Sequence, residues 1–432
     1  MVRKQLAIFA IIVLVATCSS AFAQQKRKVV LDTTTFVVMG EGLAAGMANY
    51  GLSSVVQQYS FPAQMAAQMN TGFEQPLIQP PGIGDVVGYP GQEVILQKYP
   101  QGSVRQYYHS DNSKQDGPPL FVMNLSVPGF TLADSVSVRP VSPVAQRNMK
   151  QTVVNLILGF PQLFIKENVP LWTQFEYAKA MAPTLALVEL GYYEALDAAV
   201  NSDPSRLPDP NTFGVSYNTI LAGLRAEQAE VIATTIPNPL DTGYFNSLIT
   251  AAALTSAAPS FLTDLFQIGP QDYVTRNGLM DIGTKFLNGV LGPLPAGSVL
   301  KAAVAADLTA RINALNAQIT SAAQKNGAVL YDLNAFLHKV KVSGAVAGSV
   351  RVTGDYLGGF YSLDGVYPAA TGHALIANDI LTLINQTYSR SFPMIDVSAV
   401  AADDQNLSAF KPSSDSPNTA ESVRFTSEGG NE

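Results

Sequence analysis

The sequence predicts an α/β protein with a parallel sheet covered by helices on both faces. Five apolar, strand-like runs each end in turn chemistry, and helical periodicity follows them. Composition supports a large core, because 47% of the 432 residues are hydrophobic and only 14% are charged.

Thr35 to Met39 leads into Gly40-Glu41-Gly42, Leu120 to Leu125 into Val127-Pro128-Gly129, and Thr184 to Leu190 into Gly191. Glu230 to Thr235 then leads into Ile236-Pro237, and Ala328 to Tyr331 into Asp332. Near-continuous apolar strands alternating with helices mark a parallel sheet buried on both faces. The clearest helices come late. Lys301 to Lys325 sets Val304, Leu308, Ile312, Leu315 and Ile319 at 3–4 spacing, and Gly372 to Tyr388 does so with Leu375, Ile376, Ile380, Leu383 and Ile384. Both stripes read as core packing against the sheet.

Two stretches exceed what a minimal sheet needs. Residues 57–119, rich in Gln, Pro, Gly and Tyr, read as an ordered excursion over the top of the sheet. Residues 139–182 read as helices, with Val153, Leu156, Ile157, Phe160 and Phe164 on one side and Trp172 opening the next segment. Such additions more often wall or cover a site than form separate domains. From 398 to 432 the chain turns to Ser, Asp, Asn, Gly and Glu, which predicts a disordered tail.

Residues 1–23 read as an export signal. Arg3 and Lys4 precede an apolar run from Leu6 to Ala16, and Ala21-Phe22-Ala23 sets the expected cleavage point before Gln24. The apolar run is shorter than the roughly 20 residues that span a bilayer, which disfavours an anchor. Cys18, the one cysteine, lies inside this segment, so a chain cut after Ala23 has no thiol. The competing lipoprotein reading, with Cys18 acylated, fits less well because threonine precedes the cysteine. The expected location is outside the cytoplasm.

A net charge of −7 with scattered basic residues excludes the clustered cationic footprint of a nucleic-acid binder. No later stretch has the length and apolarity of a transmembrane helix. The pattern requires no cofactor and no metal.

In open parallel sheets, ligands bind outside the carboxyl ends of the strands, so the turns after strands are where chemistry belongs. Four turns carry distinctive residues: Met39-Gly40-Glu41-Gly42-Leu43-Ala44-Ala45-Gly46, Asn124-Leu125-Ser126-Val127-Pro128-Gly129, Leu190-Gly191-Tyr192-Tyr193-Glu194, and Asp364-Gly365-Val366-Tyr367-Pro368. Together, in this order, they resemble the blocks of the SGNH, or GDSL, hydrolases, a family of lipases and esterases. The resemblance runs from about Thr35 to Tyr388. It implies one three-layer α/β/α domain over residues 24–397, with five parallel strands in flavodoxin-like order, and a cleft lined by Gly40, Glu41, Gly42, Gly129, Gly191, Tyr193, Glu194, Asp364 and Tyr367.

The departures from the family pattern bear directly on activity. The resemblance puts the nucleophilic serine at Gly42, the oxyanion asparagine at Tyr193 and the catalytic histidine at Tyr367. What it retains is Asp364 as the acid and the Gly129 backbone N–H as an oxyanion donor. Acyl transfer through serine needs a hydroxyl, a base within reach and donors for the oxyanion. Glycine has no side chain, and a tyrosine of pKa near 10 is a poor base at neutral pH. Loss of triad members leaves only roughly 10³–10⁴ over water.

Replacement groups are few. The three histidines are His109, in the excursion, His338, after the fifth run, and His373, six residues beyond Tyr367 at a helix start, where it reads as packing or capping. Ser53, Ser54 and Ser60 lie beyond the first turn and lack the strand-end position of a nucleophile. Glu41, Glu194 and Asp364 are expected at neighbouring strand ends, where clustered acids either hold the turns together or, alternatively, bind a cation or work as an acid–base pair. The turn-holding reading is preferred. Tyr193 and Tyr367 either line a cleft for an amphipathic ligand or plug it.

The function expected is therefore an exported SGNH-like protein, catalytically impaired, that binds an acyl, lipid or glycan ligand or has a structural role. The alternative is an active ester hydrolase with a rebuilt site using Asp364, a carboxylate such as Glu41 or Glu194, and His373.

Overall fold

The computed structural model describes residues 30–78, 80, 82–84, 121–143, 146–159 and 171–408. The signal segment with Cys18, residues 85–119 of the excursion with His109, Phe160 and Phe164, and the tail beyond 408 lie outside the described residues.

Strands β1 (Phe36–Gly40), β2 (Leu185–Glu189) and β3 (Glu230–Thr234) pair in parallel, Phe36 against Leu185 and Leu185 against Glu230. An inserted lobe follows, containing β4 (Phe245–Ser247), β5 (Tyr273–Thr275) and β6 (Val299–Leu300) as an antiparallel sheet. The main sheet then resumes with β7 (Val329–Tyr331), parallel to β3. Every residue of β1 and β2 is buried, as the unbroken apolar runs require of strands covered on both faces.

The fifth strand expected at Leu120 to Leu125 is reduced among the described residues to one parallel bridge, Val38 with Asn124. The Val38 N–H donates to the Met123 carbonyl at 2.9 Å, and the Leu125 N–H to the Val38 carbonyl at 2.9 Å. A longer ladder does not form because other groups take its partners. The Gln174 side-chain amide inserts between the two backbones, donating to the Leu125 and Gly40 carbonyls at 2.8 Å each. With this segment as the edge, the sheet runs 124-segment, β1, β2, β3, β7. That is the flavodoxin-like order 2-1-3-4-5, whose switch point lies at the carboxyl ends of β1 and β2.

The helices that frame the site are α1 (Gly42–Ala45), α2 (Phe61–Met69), α3 (Tyr192–Val200) and α4 (Pro210–Ala226). Later come α5 (Arg276–Leu287), in the lobe, then α6 (Ala302–Asn326) and α7 (Ala370–Tyr388). In α6 the stripe Leu308, Ile312, Leu315 and Ile319 is buried, as its spacing predicts, while Val304 is half-buried. Each such side chain contributes about 1.5–3 kcal/mol by leaving water. In α7, Ile376, Ile380 and Ile384 are buried, whereas Leu375 and Leu383 pack only partly against the core.

One expectation needs revision, and one lobe was not expected. Within 139–182 the described helices are Met149–Leu158 and Gln174–Ala180; Val153, Leu156 and Ile157 are buried, and Trp172 meets Tyr177 edge-on at 5.7 Å. The tail does not begin disordered at 398: helices Val397–Asp403 and Gln405–Ser408 pack back, with Ala401, Asp404 and Leu407 buried. The reason is a cap, since Ala369 offers α7 no side-chain oxygen and Asp404 Oδ2 instead accepts from the Thr371 N–H at 2.8 Å and hydroxyl at 2.7 Å. The β4–β6 lobe was unanticipated. It holds its own core of Leu262, Phe266, Ile268, Val274 and Ile282, yet its strands are two or three residues long, too short for a period to register.

Candidate functional site

The residues of interest converge at the switch point. β1 ends at Gly40, and Glu41 caps α1 by accepting the Leu43 N–H on Oε1 at 2.7 Å. The Tyr367 hydroxyl donates to the other oxygen, Oε2, at 3.0 Å. Glu189, the last residue of β2, accepts on Oε2 from the N–H groups of Glu41 at 3.2 Å and Ala44 at 3.3 Å. Glu41, Glu189 and Tyr367 are all buried.

Gly42 and Tyr367 occupy one another's space. A Cβ at position 42 would stand 2.6 Å from the Tyr367 hydroxyl oxygen, 2.7 Å from its Cζ and 3.0 Å from the sulfur of Met47. Only glycine fits beneath this ring. The ring is fixed in turn by Tyr192, edge-on at 6.2 Å, whose hydroxyl donates to the Val366 carbonyl at 3.3 Å.

Gly191 is required for a different reason. It starts α3 at φ 108°, and a Cβ there would meet Ile236 Cδ1 at 2.6 Å. Glu194, in the first turn of α3, accepts the Leu132 N–H on Oε1 at 2.6 Å, and its Oε2 is buried with no hydrogen-bond partner. Tyr193 is buried at 8% exposure, and burial pushes its hydroxyl up. It does not replace an asparagine amide, because a phenol at the end of a rigid ring cannot present that N–H.

Asp364 organises its own turn. Oδ1 accepts from the N–H groups of Val366 at 2.7 Å and Tyr367 at 2.9 Å, and Oδ2 from the Tyr50 N–H at 3.3 Å. Burial raises its carboxyl above the usual range despite these donors.

Burial also pushes Glu41 up to about 7, opposed by the N–H groups of Leu43 and Gly42, the Tyr367 hydroxyl and the N–H of Gly129. Glu189 is held well above the carboxylate range by burial and then by the Glu41 charge beside it. Burial raises Glu194 to about 7 against the Leu132 N–H. The adjoining acids Glu41 and Glu189 thus disfavour simultaneous ionisation. Among the described residues no group of three or more His, Cys, Asp or Glu has the geometry to hold a metal ion.

Among the described residues, no histidine hydrogen-bonds Asp364. His373 is buried in α7, where Nδ1 accepts the Phe61 N–H at 3.3 Å and the ring stacks on Phe61 at 6.1 Å. Burial lowers it to about 3, so the ring is neutral. His338 is mostly exposed and pairs with Asp241 at 3.1 Å. Ser60 caps α2, accepting the Ala63 N–H, and donates to Gln75 Oε1 at 3.2 Å. Ser53 and Ser54 begin the short helix Ser54–Gln57.

Sequence reasoning placed Glu41, Gly42 and Tyr367 together but missed Glu189 and Tyr192. Glu189 had a signal: it is the one charged residue in the run Leu185 to Leu190, and an ionisable group in a strand buried on both faces needs a reason. Tyr192 had none, since its role depends on Tyr367 from a distant turn.

Strand order defines an α/β protein of flavodoxin-like arrangement, whose first turn carries Glu41 as a cap and Gly42 as the first helical residue. No family model matches the chain, and no curated protein matches it. Among solved structures it is similar to TesA at 13% identity and TM-score 0.32, covering 82% of this chain and 98% of that one. It is similar to the psychrotrophic esterase EstA from Pseudoalteromonas sp. at 12% identity and TM-score 0.33, covering 83% and 100%. Phospholipase A1 from Streptomyces albidoflavus NA297 matches at 10% identity and TM-score 0.33, covering 82% and 100%.

Proposed function

We propose that this is an exported SGNH-like protein that has lost serine-hydrolase chemistry and serves as an extracytoplasmic binding or structural module for an acyl, lipid or glycan ligand. The observation that carries the reading is the Tyr367 ring, which stands where a side chain at position 42 would have to go and hydrogen-bonds Glu41. A nucleophile is missing and its space is filled. The N–H groups of Gly42 and Gly129, the donors a developing oxyanion would use, face the Glu41 carboxyl instead. The rebuilt-enzyme alternative loses its base, because His373 is buried against Phe61 and neutral.

The test is hydrolysis of short- and medium-chain p-nitrophenyl esters by residues 24–432, beside Asp364→Ala and the triple variant Gly42→Ser, Tyr193→Asn, Tyr367→His. The parent and Asp364→Ala are expected to be silent, and the triple variant to gain turnover. Parent turnover that disappears in Asp364→Ala would overturn the reading.

A further inference from the structure

Beside the Asp364 turn, on the inserted lobe, stands a cation that the proposed function does not use. Arg276 is the first residue of α5, and its backbone N–H donates to the Tyr244 carbonyl at 2.7 Å. Its guanidinium lies over two rings, 4.9 Å from the centre of Tyr50 and 5.8 Å from that of Tyr356. Nε donates to the Tyr356 hydroxyl at 3.1 Å. The Tyr50 and Tyr356 hydroxyls both donate to the Leu363 carbonyl, so the two walls are tied to the turn that precedes Asp364. The ring contacts and the Nε bond hold the fork in one orientation.

The guanidinium is incomplete. Among the described residues, neither terminal nitrogen has a hydrogen-bond partner, and no carboxylate lies in ion-pair range of it. The nearby acids are committed elsewhere: Asp355 pairs with Lys341 at 3.0 Å, and Asp364 accepts backbone N–H groups. The first turn of α5 holds no acid, so a positive side chain sits at the positive end of a twelve-residue helix with no carboxylate of that turn to offset it. Arginine prepaid in orientation by aromatic walls, half-buried, and left with two free donors is built to receive a planar or tetrahedral oxyanion in two parallel bonds.

We infer that Arg276, between Tyr50 and Tyr356, is the anchor of a binding site for an oxyanion, a carboxylate or phosphate, carried by the ligand at the mouth of the Asp364 turn. The inference stands on the Arg276 geometry and holds whether or not ester hydrolysis has been lost.

The full-length exported chain is titrated with inorganic phosphate and with hexanoate while the ¹⁵Nε signal of Arg276 is followed. A saturable shift is expected with at least one anion; an unmoved signal overturns the proposal without any variant having to fold. Arg276→Gln is expected to weaken the binding at least about tenfold, with Arg276→Lys intermediate because it keeps charge but not the fork. Arg390→Gln, which removes another arginine lying over a ring, Phe392 at 5.0 Å, is expected to change nothing. Equal loss in Arg390→Gln and Arg276→Gln would mean diffuse charge and overturn the site. Flotation with phosphatidylglycerol or phosphatidylcholine vesicles separates the sources. Arg276-dependent capture of the anionic vesicles alone assigns a lipid headgroup, and binding of free anions without vesicle capture assigns a small soluble ligand.

Discussion

The hydroxyl oxygen of Tyr367 lies 2.6 Å from where the Cβ of residue 42 would stand, so the two positions are sterically one unit. Gly42→Ser made alone is expected to destabilise the protein by about 1–3 kcal/mol through overpacking. Paired with Tyr367→His, which shortens the ring, the cost should shrink, giving a coupling of about 1 kcal/mol or more in a double-mutant cycle read by urea unfolding. Additive costs would show that the ring moves aside freely.

Glu41 makes a signed contribution to stability with pH. Its carboxyl titrates near 4.5 when unfolded and at about 7 when folded. Between those values the folded chain binds the proton and the unfolded chain does not, so this contribution is complete below the lower value and is lost as pH rises through the upper one. A one-unit shift corresponds to about 1.4 kcal/mol. Comparing parent with Glu41→Gln isolates the effect: the advantage of the parent should fall between pH 5 and pH 8, and a constant difference would contradict the assignment.

His373 behaves in the opposite sense. Burial takes it from 6.5 to about 3, so the unfolded chain gains a proton below 6.5 that the folded one refuses. Stability attributable to the neutral ring is present above 6.5 and lost as pH falls. Its imidazole resonances should be unchanged from pH 8 to pH 5, and a midpoint near 6.5 would restore it as a candidate base.

Removing residues 397–432 deletes Asp404 and uncovers the start of α7. The expected loss is about 1–2 kcal/mol from the cap, with more from Ala401 and Leu407 packing, read as a lower melting temperature. An unchanged melting temperature would mean the segment does not hold.

The alternating class was legible because apolar runs and 3.6-residue stripes are local signals, as in Leu185–Glu189 and the Leu308 to Ile319 stripe. The second strand was over-read. Its apolar run is genuine, but the Gln174 side chain takes the ladder's partners, and that competition is invisible to periodicity. Within the site, the turn residues could be placed by resemblance, whereas the filling of position 42 by Tyr367 depends on two residues 325 positions apart in the chain. Arg276 was likewise silent, since a lone arginine at a helix start acquires meaning only from Tyr50 and Tyr356 beside it.

Asp404 serves a helix that begins more than thirty residues before it. Helix α7 follows directly on the Tyr367 turn, so the wall of the candidate site is finished by one of the last described residues to be synthesised. A chain clipped by a protease between Tyr388 and Asp404 would therefore carry the damage to the opposite end of α7, where the helix leaves the Tyr367 turn without its cap.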